Sequence, residues 1–163
     1  MAVINSVAFW VPGTVRIPGD DGKPIEIKFR ARFKRLKKSE RLALEHRIEA
    51  NKLSKEVREG LRARLDDAND HATPQMREYM EAVMAATPIT DAEFVRATLV
   101  DLDMKGADGT PVIYSPLVVA EIEEELDGFE AELVRIYIKA RKQANTPQDA
   151  EKNSETQSGT TSS

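Results

Sequence analysis

The alternation of apolar and charged positions marks a strand near the N-terminus. Between residues 25 and 34 every odd position is apolar and every even position is charged. A period of two is typical of a half-buried antiparallel strand, with one side in the core and the other in solvent. The preceding segment, IPGDDGKP at 17–24, concentrates turn formers and contains Asp21-Gly22, a strong hairpin signal. A β-hairpin is therefore expected over about residues 3–35.

After residue 38 the apolar spacing becomes three and four, which predicts helices. The fourth helix is expected to run through Leu99 and Val100, and a short extended piece to follow at 112–114. In the last apolar run Gly128 would cost a helix about 1 kcal/mol, so a break is expected at Asp127-Gly128. The candidate N-caps, each a serine or threonine, are Ser39, Ser54, Thr90 and Ser115.

Together these patterns predict an α+β fold that is predominantly helical. An N-terminal β-hairpin precedes about five to six short helices, in a single domain over residues 1–144 whose helical part covers about 39–144. Residues 145–163 are polar and lack periodic apolar positions, so we expect a disordered C-terminal tail.

The most basic segment, residues 28–41, has two interpretations. Its charges either form the solvent side of a strand and the start of a helix, or they bind nucleic acid. The alternation favours the first, because Phe29 and Phe33 fall on the apolar side and are not available for stacking on bases. We therefore do not expect nucleic acid as a partner. A nucleic-acid-binding regulator is kept as an alternative hypothesis, built on Arg30, Arg32, Lys34, Lys37 and Lys38.

Charge is distributed unevenly along the chain, although the net charge is only −4. Residues 1–65 contain 16 basic and 8 acidic side chains, whereas residues 66–163 contain 8 basic and 20 acidic ones. Oppositely charged halves attract one another within or between molecules. Self-association of the chain, head to tail, is therefore a hypothesis.

The residue types that carry catalysis or bind metals are sparse. There is no cysteine, and neither His46 nor His71 has a second histidine at ligand spacing. No glycine-rich phosphate-binding motif or nucleophile motif occurs. The acids between Glu121 and Glu132 are typical of a solvated helix face. We therefore predict no catalytic residue, no cofactor and no metal site, and we do not expect an enzyme.

The sequence contains no run of 18 or more apolar residues, so we predict no transmembrane helix and expect no membrane partner. The N-terminus lacks the basic start and the cleavage site of a signal peptide. The absence of cysteine fits a reducing, cytoplasmic compartment.

Four phrases occur in an order that resembles a known family. They are IKFRARFKRL at 27–36, DGTPVIYSP at 108–116, RIYIKAR at 135–141 and AEKNS at 150–154. Over about residues 12–153 this order resembles the tail assembly chaperones of long-tailed bacteriophages. One departure is VDLDM at 100–104, where such chains often carry a tryptophan.

This resemblance implies a non-catalytic function in tail morphogenesis. The expected partner is the helical tape-measure protein, which such chaperones bind and keep soluble in the host bacterial cytoplasm before tail-tube polymerisation. Tail-tube subunits and a longer, frameshift-extended form of the same chain are further partners that the family implies. The protein itself is expected to be absent from the mature virion. The alternative hypothesis is a structural tail component, such as a tube, completion or scaffold protein.

Two groups of residues are candidates for contact with the partner. The first is the seam of the last apolar run, whose spacing suits a groove for an amphipathic helix; the same spacing is also typical of core packing. The second is the charged side of the predicted strand. The candidate residues are Val119, Ile122, Leu126, Phe129, Arg30, Arg32 and Lys34.

Overall fold

The computed structural model describes residues 7–144. The predicted disordered tail at 145–163, and the first residues of the predicted hairpin, lie outside the described residues. Within the described range the chain forms three strands and six helices, which confirms the predicted α+β class. In chain order they are β1 (Ala8–Pro18), β2 (Pro24–Lys34), α1 (Lys38–Ala50), α2 (Lys55–Asp66), α3 (Pro74–Ala85), α4 (Asp91–Thr98), β3 (Leu99–Asp103), α5 (Pro116–Glu125) and α6 (Phe129–Ala144).

The three strands form an antiparallel sheet in the order β1-β2-β3. The hairpin turns at Asp20-Asp21-Gly22, where Gly22 has φ +77° and the Gly19 N–H donates to the Lys23 carbonyl at 2.7 Å. A three-residue loop that ends in a left-handed glycine is a common hairpin connection. The turn predicted at Asp21-Gly22 is therefore confirmed.

The pairing of Gly19 with Lys23 sets the register of the hairpin. It places Trp10 opposite Arg32, Gly13 opposite Phe29, and Arg16 opposite Glu26, and the last pair forms a salt bridge at 2.9 Å.

The period of two in β2 is also confirmed. Phe29, Ala31 and Phe33 are buried, whereas Lys28 and Arg30 are exposed and Arg32 is half-buried. Ile25, beside the turn, is 50% exposed and is the exception on the apolar side.

The predicted fourth helix was wrong at its C-terminal end. α4 ends at Thr98, whose hydroxyl donates to the Phe94 carbonyl, and Leu99 starts β3. Pairing with β2 competes with the helix here and wins, because Leu99 and Leu102 become buried in extended conformation. The extended piece predicted at 112–114 is not a strand; before it, Pro111 forms an isolated bridge with Lys105.

The other helix signals were accurate with one exception. The Ser54, Thr90 and Ser115 hydroxyls accept backbone N–H groups at the starts of α2, α4 and α5. The N-cap predicted at Ser39 was wrong, because α1 is capped two residues earlier, at Lys37, whose N–H is accepted by the Glu40 carboxylate; Ser39 lies inside the helix. The predicted break is confirmed by Gly128, which has φ +90° between α5 and α6.

Within the described residues the chain separates into two compact units. The first contains residues 7–9 and 34–100, which include α1 to α4. The second contains residues 10–33 and 101–144, which include most of the sheet, α5 and α6. The single domain predicted over 1–144 stays a prediction.

The core of the second unit is built on two aromatic pairs between β2 and α6. Phe29 meets Phe129 edge to face with ring centroids 5.1 Å apart, and Phe33 meets Tyr137 at 5.3 Å. Four strand residues span about 13 Å and eight helix residues about 12 Å. The two pairs therefore match in length, and they hold α6 parallel to β2.

A substitution at Gly13 tests the packing of this core. A Cβ at Gly13 would lie 2.6 Å from the Phe29 Cε2 atom, and the Phe29 ring is also packed edge to face against Phe129. We expect Gly13→Ala to lower the free energy of unfolding by about 1–3 kcal/mol, the usual cost of overpacking. Chemical denaturation followed by circular dichroism measures it.

Gly60→Ala is the matched control, because nothing lies within 4 Å of a Cβ at this position inside α2. It should raise the unfolding free energy by up to about 1 kcal/mol through helix propensity. Equal effects of the two substitutions would contradict the packing of Phe29 against Gly13.

Candidate partner-binding surfaces

The seam predicted in the last apolar run divides into buried and half-buried members. Val119 is 4% exposed and Phe129 is fully buried against Phe29, so both side chains belong to the core of the second unit. Ile122 and Leu126 are half-buried. The part of the seam that is accessible to a partner therefore consists of Ile122 and Leu126.

Two more exposed apolar side chains lie at the start of α5. Ile113 is 85% exposed and Leu117 is 76% exposed. Sequence reasoning missed both because they fall off the three-and-four spacing of the seam. Tyr114, between them in sequence, precedes the N-cap Ser115, and burial raises the pKa of its phenol, with a smaller contribution from the Asp101 carboxylate.

The first unit contains an open groove between α1 and α3 that the sequence did not predict. Its volume is about 490 Å³. We call it the α1–α3 groove; it is lined by Ala43, His46, Arg47, Ala82, Ala85, Ala86 and Thr87. Four of these residues are alanines, so the backbone of a further helix can approach closely, because the distance between packed helices depends on the side chains at the contact. The only sign of this groove in the sequence was the recurrence of small residues at helical spacing.

Aromatic and thioether side chains lie near this groove. Tyr79 packs edge to face on His46, with ring centroids 5.4 Å apart, and is 49% exposed. Met76, three residues earlier on the same helix face, is 51% exposed. The pKa of Tyr79 is raised, first by burial and then by the Glu49 carboxylate, so the phenol is neutral at physiological pH.

Arginine side chains hold the helices around the groove. Arg47 Nε donates to the Thr87 carbonyl at 2.9 Å, just after α3, and Arg58 donates to the Met84 carbonyl at 3.2 Å. At the other end of α3, Arg77 donates to the Leu65 carbonyl at 2.8 Å. Because Arg58 lies near the start of α2 and Leu65 near its end, these contacts make α2 and α3 an antiparallel pair.

The connection between α2 and α3 is also fixed by charge. The Asp70 carboxylate accepts from Arg64 Nε at 2.9 Å and from the Ala72 N–H at 2.7 Å. The hydrogen bond from Arg64 is the largest cause that lowers the pKa of Asp70. The stability that this hydrogen bond contributes is therefore fully present above the pKa that the Asp70 carboxyl has in the unfolded chain. It is lost as pH falls through the lower pKa that the carboxyl has in the folded chain.

The charged side of the hairpin forms a second surface, which we call the outer sheet face. It consists of Trp10, Arg16, Glu26, Lys28, Arg30, Arg32 and Asp103. Arg30 donates to Asp103 at 2.9 Å, and its guanidinium carbon lies 5.0 Å from the centroid of the Trp10 ring. The guanidinium carbon of Arg32 lies 5.9 Å from the same centroid.

Trp10 is 40% exposed. Sequence analysis missed this aromatic because it considered the charged strand alone. The turn signal did not fix this neighbour: a two-residue turn at Asp21-Gly22 would place Trp10 opposite Phe33, whereas the three-residue loop in the structure places it opposite Arg32. Lys34, the third predicted cation, is exposed at the end of β2 and belongs to the first unit.

Residues 7–144 contain no group of three or more side chains suited to hold a metal ion. In the same range no helix has both the length and the apolar character needed to cross a membrane. Comparison with protein-family models, with curated proteins and with solved structures finds no match.

Arg77 is the best test of how the α1–α3 groove is supported. Arg77→Gln removes charged hydrogen bonds to the Leu65 and Asp67 carbonyls, each 2.8 Å long. We expect a loss of about 1–2 kcal/mol in unfolding free energy, with the largest loss of amide protection in α2 by hydrogen exchange. Arg62→Gln is the control, since the Arg62 side chain is exposed and makes no hydrogen bond or ion pair within residues 7–144. An equal loss in both variants would refute the role of Arg77.

Proposed function

We propose that this protein is a tail assembly chaperone of a long-tailed bacteriophage, which binds the tape-measure protein and keeps it soluble before the tail tube polymerises. The order of four sequence phrases supports this proposal. The observation that carries it is the α1–α3 groove, an open surface groove in which four alanines line the walls and Tyr79 and Met76 are exposed on α3.

The groove suits an amphipathic helix as its occupant. Such a helix presents apolar anchors at positions i, i+3, i+4 and i+7, and the alanines leave room for them. Methionine adapts to different side chains because it is flexible and polarizable. A chaperone for a long helical protein needs this tolerance, since successive segments of the partner differ in sequence.

The proposal places the protein in the host bacterial cytoplasm during infection and outside the finished virion. A longer, frameshift-extended form and tail-tube subunits are partners within the same proposal. The alternative, a structural tail component, requires the chain to persist in particles. Mass spectrometry of purified virions separates the two, because only the structural component is retained.

Co-expression with the tape-measure protein of the same phage tests the proposal. We expect the tape-measure protein to become soluble and to co-purify with this chain. Ala85→Lys places a charged side chain at an exposed position of the groove. It should reduce the co-purified partner about tenfold, equivalent to roughly 1.4 kcal/mol.

Two matched variants distinguish the surfaces. Ala63→Lys adds the same side chain at an exposed position of α2 outside the groove, and it should leave binding unchanged. Leu117→Asp tests the start of α5.

A tape-measure protein that stays insoluble, with this chain recovered from purified tails, would refute the chaperone function. Loss of binding only in Leu117→Asp would move the site from the groove to α5.

A further inference from the structure

We propose that the outer sheet face binds single-stranded nucleic acid, independently of the binding of the tape-measure protein. The strand pattern alone argued against this, because the aromatic residues of β2 point to the core. The structure supplies an aromatic residue from the neighbouring strand. Trp10 lies opposite Arg32 on the charged side and is 40% exposed.

The cations of this face are of two kinds. Arg16 and Arg30 are paired with carboxylates, at 2.9 Å from Glu26 and from Asp103 respectively. Lys28 and Arg32 form no ion pair within residues 7–144, and the same holds for Lys105, just after β3. Lys28 and Lys105 are exposed, and Arg32 is half-buried with its guanidinium carbon 5.9 Å from the Trp10 ring centroid. None of these three charges is neutralised by a carboxylate within residues 7–144, whereas the paired arginines are held in place.

The spacing of these charges suits an extended polynucleotide. Lys28 and Arg32 lie four residues apart, about 13 Å along β2, which is comparable to two successive phosphate separations in a stretched single strand. An open groove of about 580 Å³ lies beside them. Its charged lining consists of Lys28, Arg30 and Lys105 together with Glu26 and Asp103, the two carboxylates that are paired with arginines. Phosphates and sugars have room there next to the positive side chains.

Trp10 distinguishes a nucleic acid from an acidic polypeptide as the ligand. Single-stranded nucleic acids bind to charged surfaces that also offer aromatic rings, because every base has a face that stacks. The guanidinium groups of Arg30 and Arg32 lie near the Trp10 ring and orient it. A carboxylate-bearing peptide would use the cations but has no base to place on the exposed indole.

The protein carries its own probe, since Trp10 is the only tryptophan of the chain. The full chain is titrated with oligothymidylate of about 12 nucleotides, and fluorescence is excited at about 295 nm, where the bases absorb little. We expect saturable quenching of Trp10. With three phosphates neutralised, the logarithm of the binding constant should fall against the logarithm of salt concentration with a slope of about −2.

A charge-matched pair of variants tests the site. Lys28→Gln/Arg32→Gln should weaken binding at least tenfold and bring the slope to about −0.7. Lys55→Gln/Arg62→Gln removes the same charge from exposed positions of α2 and should bind like the natural sequence. Circular dichroism and thermal melts confirm that each variant is folded.

Three results would each overturn the proposal. One is absence of quenching at low salt. Another is an equal loss of binding in both double variants, which would mean diffuse electrostatic attraction. The third is quenching by poly-glutamate of equal charge at the same affinity, which would assign the face to acidic polypeptides. Because the groove variants and the tape-measure assay use other residues, failure here leaves the proposed function unaffected.

Discussion

The packing of α6 along β2 is the interaction on which the second unit depends. Two edge-to-face aromatic pairs, Phe29 with Phe129 and Phe33 with Tyr137, lie at the two ends of one contact. Leu133, between them in α6, is fully buried. Because the helix covers the odd side of β2, every even side chain is directed to the other side. The location of the positive side chains on the outer sheet face therefore follows from the packing of the aromatic rings on the opposite side of β2.

Much of this fold could be predicted from local patterns. The alternation of β2, the turn at Asp21-Gly22 and the caps of α2, α4 and α5 are each encoded within about ten residues. β3 was missed because its extended state depends on pairing with β2, which is distant in sequence. The same limit applies to the α1–α3 groove, whose walls come from helices about 40 residues apart.

The predicted contact residues show why apolar spacing cannot separate core from surface. Val119 and Phe129 belong to the same seam as Ile122 and Leu126, yet only the latter two remain accessible. The apolar stripe of such a helix includes residues that are fully buried in the core and residues at the border with solvent. Both kinds follow the same helical spacing, so the spacing does not tell them apart. Conversely, Ile113 and Leu117 are exposed and follow no periodic pattern.

The two units carry surfaces of different chemistry. The groove of the first unit is lined by small apolar residues, and its helices are held by arginines that donate to main-chain carbonyls. The outer sheet face of the second unit carries an indole among cations. Each surface is supported by contacts within its own unit.

Glu123 has a consequence for how the start of α6 is held in the second unit. Its carboxylate accepts the N–H groups of Gly128 at 2.9 Å and Glu130 at 2.7 Å, so a side chain of α5 caps the start of α6. The first turn of α6 is therefore completed by a residue outside the helix. α6 has this cap only when the turn at Gly128 brings its start back to Glu123, so the capping of α6 is coupled to the position of α5.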